Sequence, residues 1–359
     1  MTLTRFLVAW RTIALHDREV VDALVDPVHT APSPELAAAL REWPGSYYWS
    51  SEPDGRHLIL TRPTFKPRES WTLHAVLLLA TLFTTTITGA IIAGQLEPTL
   101  DLLFNPSWDR TFFQALGGGF AFSIPLLAIL LCHELGHYLT ARHYQLNVSP
   151  PFFLPGPPIF FIGTFGAFIR LRTILTDRRQ LLDVGAAGPL AGFVVAIIVF
   201  WYGLAHSQVQ DHGGAFMSVP PGWIVGDSLI SLLLRHATGT AAGVVSLHPT
   251  AFAGWLGMLV TMLNLLPIAQ LDGGHILYAA LPRAHRHVAR AFWLAIVLLG
   301  YFSARIWLVW GIIVLLLSRG RFGHPPVLDA YRPLPRSHLW LLVASAVLFI
   351  VTFTPVPSR

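Results

Sequence analysis

Long apolar runs, separated by short basic, polar or Gly/Pro-rich segments, set the rhythm of this chain. Runs near 71–94, 117–141, 183–204, 250–269, 291–317 and 339–353 approach or exceed the roughly 17–25 residues an α-helix needs to cross a hydrocarbon core. The pattern predicts an all-α polytopic membrane fold of about six to seven transmembrane helices, with a small membrane-associated β-hairpin or sheet. The 291–317 run is interrupted at Ser303-Ala304-Arg305. It reads as two short helices joined there, the alternative being one tilted span with a buried Arg. No internal repeat appears, and the spans do not form matching halves.

The chain divides into a cytosolic appendage (1–68), a membrane core (69–318), and a basic loop with a final transmembrane helix (319–359). In the appendage, Ser33 caps a helix predicted from Pro34 to Glu42. Tyr47 to Trp49 can pair with His57 to Leu60 across Pro53-Asp54-Gly55. Arg62, Lys66 and Arg68 precede the first span and favour a cytosolic N-terminus. The Gly- and His-containing stretch 205–247 reads as an external loop. Phe160 to Leu171 is β-like, with a re-entrant packing loop as the alternative.

Composition narrows the class. Charged residues make up 12% of the chain, against roughly 25% in soluble proteins, and mean hydropathy is +0.57. So little charge cannot cover a soluble surface, which makes membrane lipid an expected partner. The net charge of +5 comes from basic clusters between apolar runs, Arg170 to Arg179 and Arg319 to Arg336, as the positive-inside bias produces. No aromatic and basic platform interleaves, so nucleic acid is not expected. Cys132 is the single cysteine, which excludes an intrachain disulfide and reads as a passive buried thiol.

Residues 133–137 read His-Glu-Leu-Gly-His. On a helix, His133 and His137 share a face and can offer two imidazoles to one ion, with Glu134 beside them as a general base. Burying such groups in an apolar span is costly without a purpose, although histidines bonded to neighbouring helices would be the structural alternative. A catalytic zinc needs a third protein ligand and an open position for water. Two candidates compete. His143 stands at the metzincin spacing, but Thr140 replaces the glycine that turns such a chain back. On a continuing helix His143 lies roughly 240° round from His137. Asp272 is the stronger candidate, at the inner end of the fourth span after Pro267 and before a predicted break at Gly273-Gly274. The second and fourth spans both run inward, so their motifs reach the same depth.

His-Glu-x-Gly-His on one span and Asn264-Leu-Leu-Pro-Ile-Ala-Gln-Leu-Asp272-Gly-Gly on a later one resemble the site-2 protease family of intramembrane metalloproteases. The resemblance covers roughly 71–318. Gly163-Thr-Phe-Gly-Ala-Phe-Ile169 and Gly188-Pro-Leu-Ala-Gly192 are similar to its plastid and cyanobacterial branch. The external stretch is about half what a PDZ domain needs, and no CBS domain is expected after Phe353.

The resemblance implies one Zn2+ ion per chain on His133, His137 and Asp272, with Glu134 catalytic. It implies that Asn264 holds substrate backbone or the oxyanion, a helix-to-helix hydrogen bond being its structural alternative. His275 would lie outside the ligand set. Gly163, Thr164, Phe165 and Gly166 would begin a strand edge that captures unwound substrate. Transmembrane proteins are the implied substrates, cleaved in a bacterial inner membrane with the site toward the cytosol. A metal-binding transporter is the alternative from another class, but it predicts polar residues across several spans and pseudo-symmetric halves. An inactive homologue is a third reading, against which the intact Glu134 argues. The glycines of the third span, Gly185, Gly188 and Gly192, are expected to give close helix packing and no chemistry.

Overall fold

The computed structural model describes residues 3–14, 18–29, 33–43, 45–63, 69–99, 109–144, 146–158, 162–172, 175, 177–210, 215–220, 222–324, 327 and 333–358. They form two compact units, one of Met1–Glu69, Ala141–Ser149 and Arg170–Thr176, the other of Ser70–Thr140, Pro150–Ile169 and Asp177–Arg359.

In the first unit, strands β1 (Leu7–Ala14), β2 (Arg18–Val25), β3 (Ser46–Glu52) and β4 (Gly55–Pro63) make an antiparallel sheet ordered β1-β2-β4-β3. Helix α1 (Pro34–Arg41) starts where Ser33 Oγ accepts the Leu36 amide at 3.2 Å. Leu36, Ala39 and Leu40 pack onto Phe6, Val25, Leu58 and Leu60. The β3–β4 hairpin turns at Pro53-Asp54, with Tyr48 opposite Ile59 and Trp49 opposite Leu58. The 141–149 and 170–176 pieces are tied by a Val148–Leu171 bridge and by the Arg172 amide on the Asn147 carbonyl at 2.8 Å.

The second unit is mainly helical. Among the described residues, three helices are long and apolar enough to cross a membrane: α2 (Trp71–Ile92), α3 (Arg110–His143) and α4 (Arg178–Ala205). Beyond α4, β7 (Gln208–Gln210), β8 (Phe216–Val219) and β9 (Trp223–Val225) precede α5 (Leu229–Ala237) and β10 (Val244–Ser246). These strands form a sheet ordered β7-β10-β8-β9, so the predicted loop is a small folded cap. Arg235, 1% exposed, anchors it through Asp227 at 2.6 Å and the Thr240 carbonyl. Ten strands in three sheets stand among the described residues, more than the small hairpin or sheet expected beside the helices. Most lie in the shorter, more polar segments between apolar runs, where the hydropathy pattern carries little signal.

Helix α6 (Pro249–Asn264) packs along α4, and α7 (Asp272–Ala280) follows a break at Leu265–Leu271. Helices α8 (His285–Phe302) and α9 (Ile306–Leu317) are separate and pack together, with Trp293 Nε1 donating to the Gly311 carbonyl at 2.9 Å. The interruption at 303–305 is therefore a turn. Helix α10 (Leu339–Thr352) closes the chain. Between α3 and α4 in the chain, β5 (Phe152–Pro155) and β6 (Thr164–Phe168) pair as a hairpin that packs on α2. Of the β-like stretch, residues 159–161 lie outside the described residues, and the strand itself is shorter than predicted.

Candidate metal centre

Helix α3 carries His133, Glu134 and His137, exposed by only 4%, 7% and 7%. The helical spacing brings the two imidazoles together as read, with His133 Nε2 and His137 Nε2 at 3.2 Å. Both nitrogens lie 3.3 Å from Asp272 Oδ2. Two imidazole nitrogens and a carboxylate oxygen thus form a nearly equilateral triangle. A tetrahedral divalent ion held at about 2.05 Å from each ligand atom would space those atoms about 3.3 Å apart, so the donors fit one ion.

The surroundings prepare those donors. His137 Nδ1 donates to the Val184 carbonyl at 2.7 Å, which leaves Nε2 as the lone-pair nitrogen. Asp272 is the first residue of α7, where the helix dipole favours a carboxylate. Glu134 lies within electrostatic reach of both imidazoles and of Asp272. Asn264, the last residue of α6, brings its Nδ2 to 3.2 Å from His133 Nε2. The break between Asn264 and Asp272 therefore sets both polar groups at one level.

The glycines after Asp272 do not break the helix, contrary to the sequence reading. They form its first turn, and the chain breaks before it, where Ala269 adopts φ 50°. A Cβ on Gly273 would sit 2.0 Å from the Leu265 carbonyl oxygen, and one on Gly274 would sit 2.4 Å from that of Ala269. Only glycine lets α7 fold back this tightly onto the end of α6. His143 stays on α3, exposed and with its ring against Tyr144, because the helix runs unbroken through Thr140. His275 turns to the His324 ring, Nδ1 to Nε2 at 2.6 Å, and is absent from the ligand triangle.

The profile of peptidase family M50 matches residues 121–304, a stretch that contains the triangle, Glu134 and Asn264. The chain belongs to peptidase family M50. Over 265 residues it is 33% identical to a probable zinc metalloprotease, EGY1, chloroplastic, of Arabidopsis thaliana, covering 72% of this chain and 45% of that protein. The rice (Oryza sativa subsp. japonica) EGY1 protein is 32% identical over 64% of this chain and 39% of its own length. An Arabidopsis EGY2 protein, also named a probable zinc metalloprotease, is 32% identical over 58% of this chain and 37% of its own. The chain thus spans less than half the length of these relatives. No solved structure matches it.

Two features of this M50 site escaped the sequence reading. The glycine face of α4 is the wall behind the imidazoles. A Cβ at Gly188 would fall 2.1 Å from His137 Nε2, and one at Gly192 would fall 3.0 Å from His133 Cβ. Gly136, inside the His-Glu motif, answers from α3, where a Cβ would lie 2.4 Å from the Ala187 carbonyl oxygen. The Gly-x-x-Gly-x-x-x-Gly spacing predicted close packing but not what is packed. The second feature is the Ile169 backbone amide, one residue past β6, which lies against the Glu134 carboxylate.

The four residues read as a substrate edge divide by environment. Gly163 (φ 79°) lies against α2, with its carbonyl accepting the Thr84 hydroxyl at 2.6 Å. Thr164 is buried, and its hydroxyl donates to the Leu154 carbonyl at 2.7 Å, securing the register shift opposite Pro155. Phe165 is 60% exposed and Gly166 adopts φ 100°. Since the Ile169 amide faces Glu134, strand alternation turns the Ala167 amide and carbonyl to that same outer edge.

Proposed function

We propose that this chain is an intramembrane zinc metalloprotease that hydrolyses peptide bonds in or near transmembrane segments of other proteins. The observation that carries the reading is the His133–His137–Asp272 triangle beside Glu134. These three residues would hold one zinc ion, which would supply Lewis-acid polarisation of the scissile carbonyl and acidify water. Glu134 takes the proton from the attacking water and returns it to the leaving amine. Asn264 donates its side-chain amide to the substrate carbonyl, and the α4 glycine wall keeps both imidazoles in place.

A transmembrane helix shields its peptide bonds by internal hydrogen bonds, so substrate must unwind first. The outer edge of β6 receives the unwound segment as an added strand, with Ala167 supplying main-chain hydrogen bonds. Seven spans follow if α6 and α7 act as one interrupted span beside α2, α3, α4, α8, α9 and α10. The N-terminal appendage and the inner ends of α3 and α7 then face the cytosol of a bacterial cell. In this arrangement 69–318 is the protease core, followed by the basic loop and last span.

Purified protein should bind about one zinc per chain and cleave a transmembrane peptide with a destabilised helix. Glu134→Gln should retain zinc and lose cleavage by a factor of about 10³ or more. Asp272→Ala should lose zinc. Cleavage surviving in Glu134→Gln refutes the base, and undiminished zinc in Asp272→Ala refutes the third ligand.

A further inference from the structure

We infer that α2 is a splint for the substrate-capturing hairpin, with Thr84 and Thr88 as positioning residues that hold β6 at the depth of Glu134. The inference rests on the protease reading only for its kinetic consequence.

Threonines in an apolar helix ordinarily return their hydroxyl to their own helix. Thr81, Thr85 and Thr86 do so, on the carbonyls of Leu77, Thr81 and Leu82 at 2.6 to 2.7 Å. Thr84 breaks the pattern. Its shortest contact, 2.6 Å, crosses to the carbonyl of Gly163, against 3.0 Å to Ala80 in its own helix. One turn later, Thr88 Oγ1 lies 3.1 Å from the Pro158 carbonyl, on the other side of the hairpin turn. At the far end of β5, His74 Nδ1 lies 3.0 Å from the Pro151 carbonyl, and its ring stacks on Phe152 at 4.0 Å.

The lengths agree. Ten helical residues from His74 to Thr84 rise about 15 Å, and the four residues of β5 span about 13 Å, so the strand can be fastened along the helix at both ends. Contact is also intimate. A Cβ on Gly163 would meet Thr88 Oγ1 at 2.6 Å and both Thr84 O and Thr85 Cα at 2.7 Å. Residues 164–168 follow directly from that fastened glycine and lead to Ile169, whose amide meets Glu134. A hairpin loosened on α2 therefore carries the open edge out of alignment with the base, while α3, α4 and α7 keep the metal ligands.

The test compares Thr84→Val/Thr88→Val, which removes both hydroxyls, with Thr84→Ser/Thr88→Ser, which keeps them. Amide exchange of 164–168 in the full chain should quicken at least tenfold in the valine protein. It should return to wild-type rates in the serine protein, with exchange in α4 and bound zinc unchanged in both. On a transmembrane peptide, KM should rise at least fivefold in the valine protein and recover with serine. Unchanged exchange at 164–168 in the valine protein overturns the splint, as does a loss that serine fails to restore. If the wild type cleaves nothing, the protease reading fails, and the exchange rates alone decide the splint.

Discussion

Placing a methyl group at Gly188 tests whether the α4 glycines act as a wall behind the ligands. The added carbon would stand 2.1 Å from His137 Nε2, 2.4 Å from its Cδ2 and 2.5 Å from its Cε1. Ordinary carbon contacts lie at about 3.5 Å, so the ring or the helix must move by about 1 Å or more. The ring cannot simply swing, because Nδ1 is held by the Val184 carbonyl at 2.7 Å. Zinc sites tolerate ligand displacements of about 0.2 Å. Gly188→Ala should therefore weaken zinc binding by about 100-fold or more, above the 10- to 100-fold typical of losing a supporting contact. Cleavage should fall by at least about 100-fold.

The fold should survive this change. Overpacking costs about 1–3 kcal/mol, and the better helix propensity of alanine offsets about 1 kcal/mol of it. Two other glycines calibrate the effect. Gly192→Ala meets His133 Cβ at 3.0 Å and should lose zinc affinity more mildly, while Gly117→Ala meets nothing within 4 Å and should leave zinc unchanged. The assay is zinc retained against a graded chelator, read beside peptide cleavage. Wild-type zinc affinity and cleavage in Gly188→Ala would refute the wall.

Two further predictions concern regions outside the metal centre. Asp227→Asn leaves the buried Arg235 guanidinium without its 2.6 Å carboxylate, so the fold should lose about 3 kcal/mol in denaturant unfolding with zinc still bound; an unchanged midpoint would sink this. In the N-terminal unit, the hydrogen bond from His57 to Asp22 (2.7 Å) holds the imidazole pKa above its ordinary value, against burial and with help from Asp54. A raised folded-state value stabilises fully below about pH 6.5 and fades as pH rises through it. The advantage of wild type over His57→Gln in thermal unfolding should then shrink between pH 6 and pH 8.5, and a constant difference would refute it.

The elements legible in the sequence were those written in local periodicity. The long apolar runs became α2, α3 and α4, the Ser33 cap opened α1, and Pro53-Asp54 turned a hairpin. Strands β1 and β2 were missed because residues 7–14 and 18–25 mix polar and apolar side chains on both sides of the strand, with no clean alternation. The four short strands of the cap pair over three or four residues each, too few for any period to register. At the site, His133, Glu134 and His137 could be grouped because one helical turn groups them. Asp272 joined them through its place at the end of an apolar span, the shared direction of the two spans, and the motif that runs from Asn264.

What remained illegible was non-local. A glycine repeat states that something approaches closely, and only the tertiary structure shows an imidazole at Gly188 but a helix backbone at Gly136. The misplaced break has the same origin. Two successive glycines signal flexibility when only local propensity is weighed, since glycine weakens a helix by about 1 kcal/mol against alanine. Here each glycine stands where a methyl would strike a carbonyl oxygen at 2.0 or 2.4 Å, a penalty far larger than the propensity lost. Close approach therefore decides the residue type, and the helix forms despite the glycines. Its first residue becomes Asp272, whose carboxylate gains the helix N-terminus only because the two residues after it have no side chains.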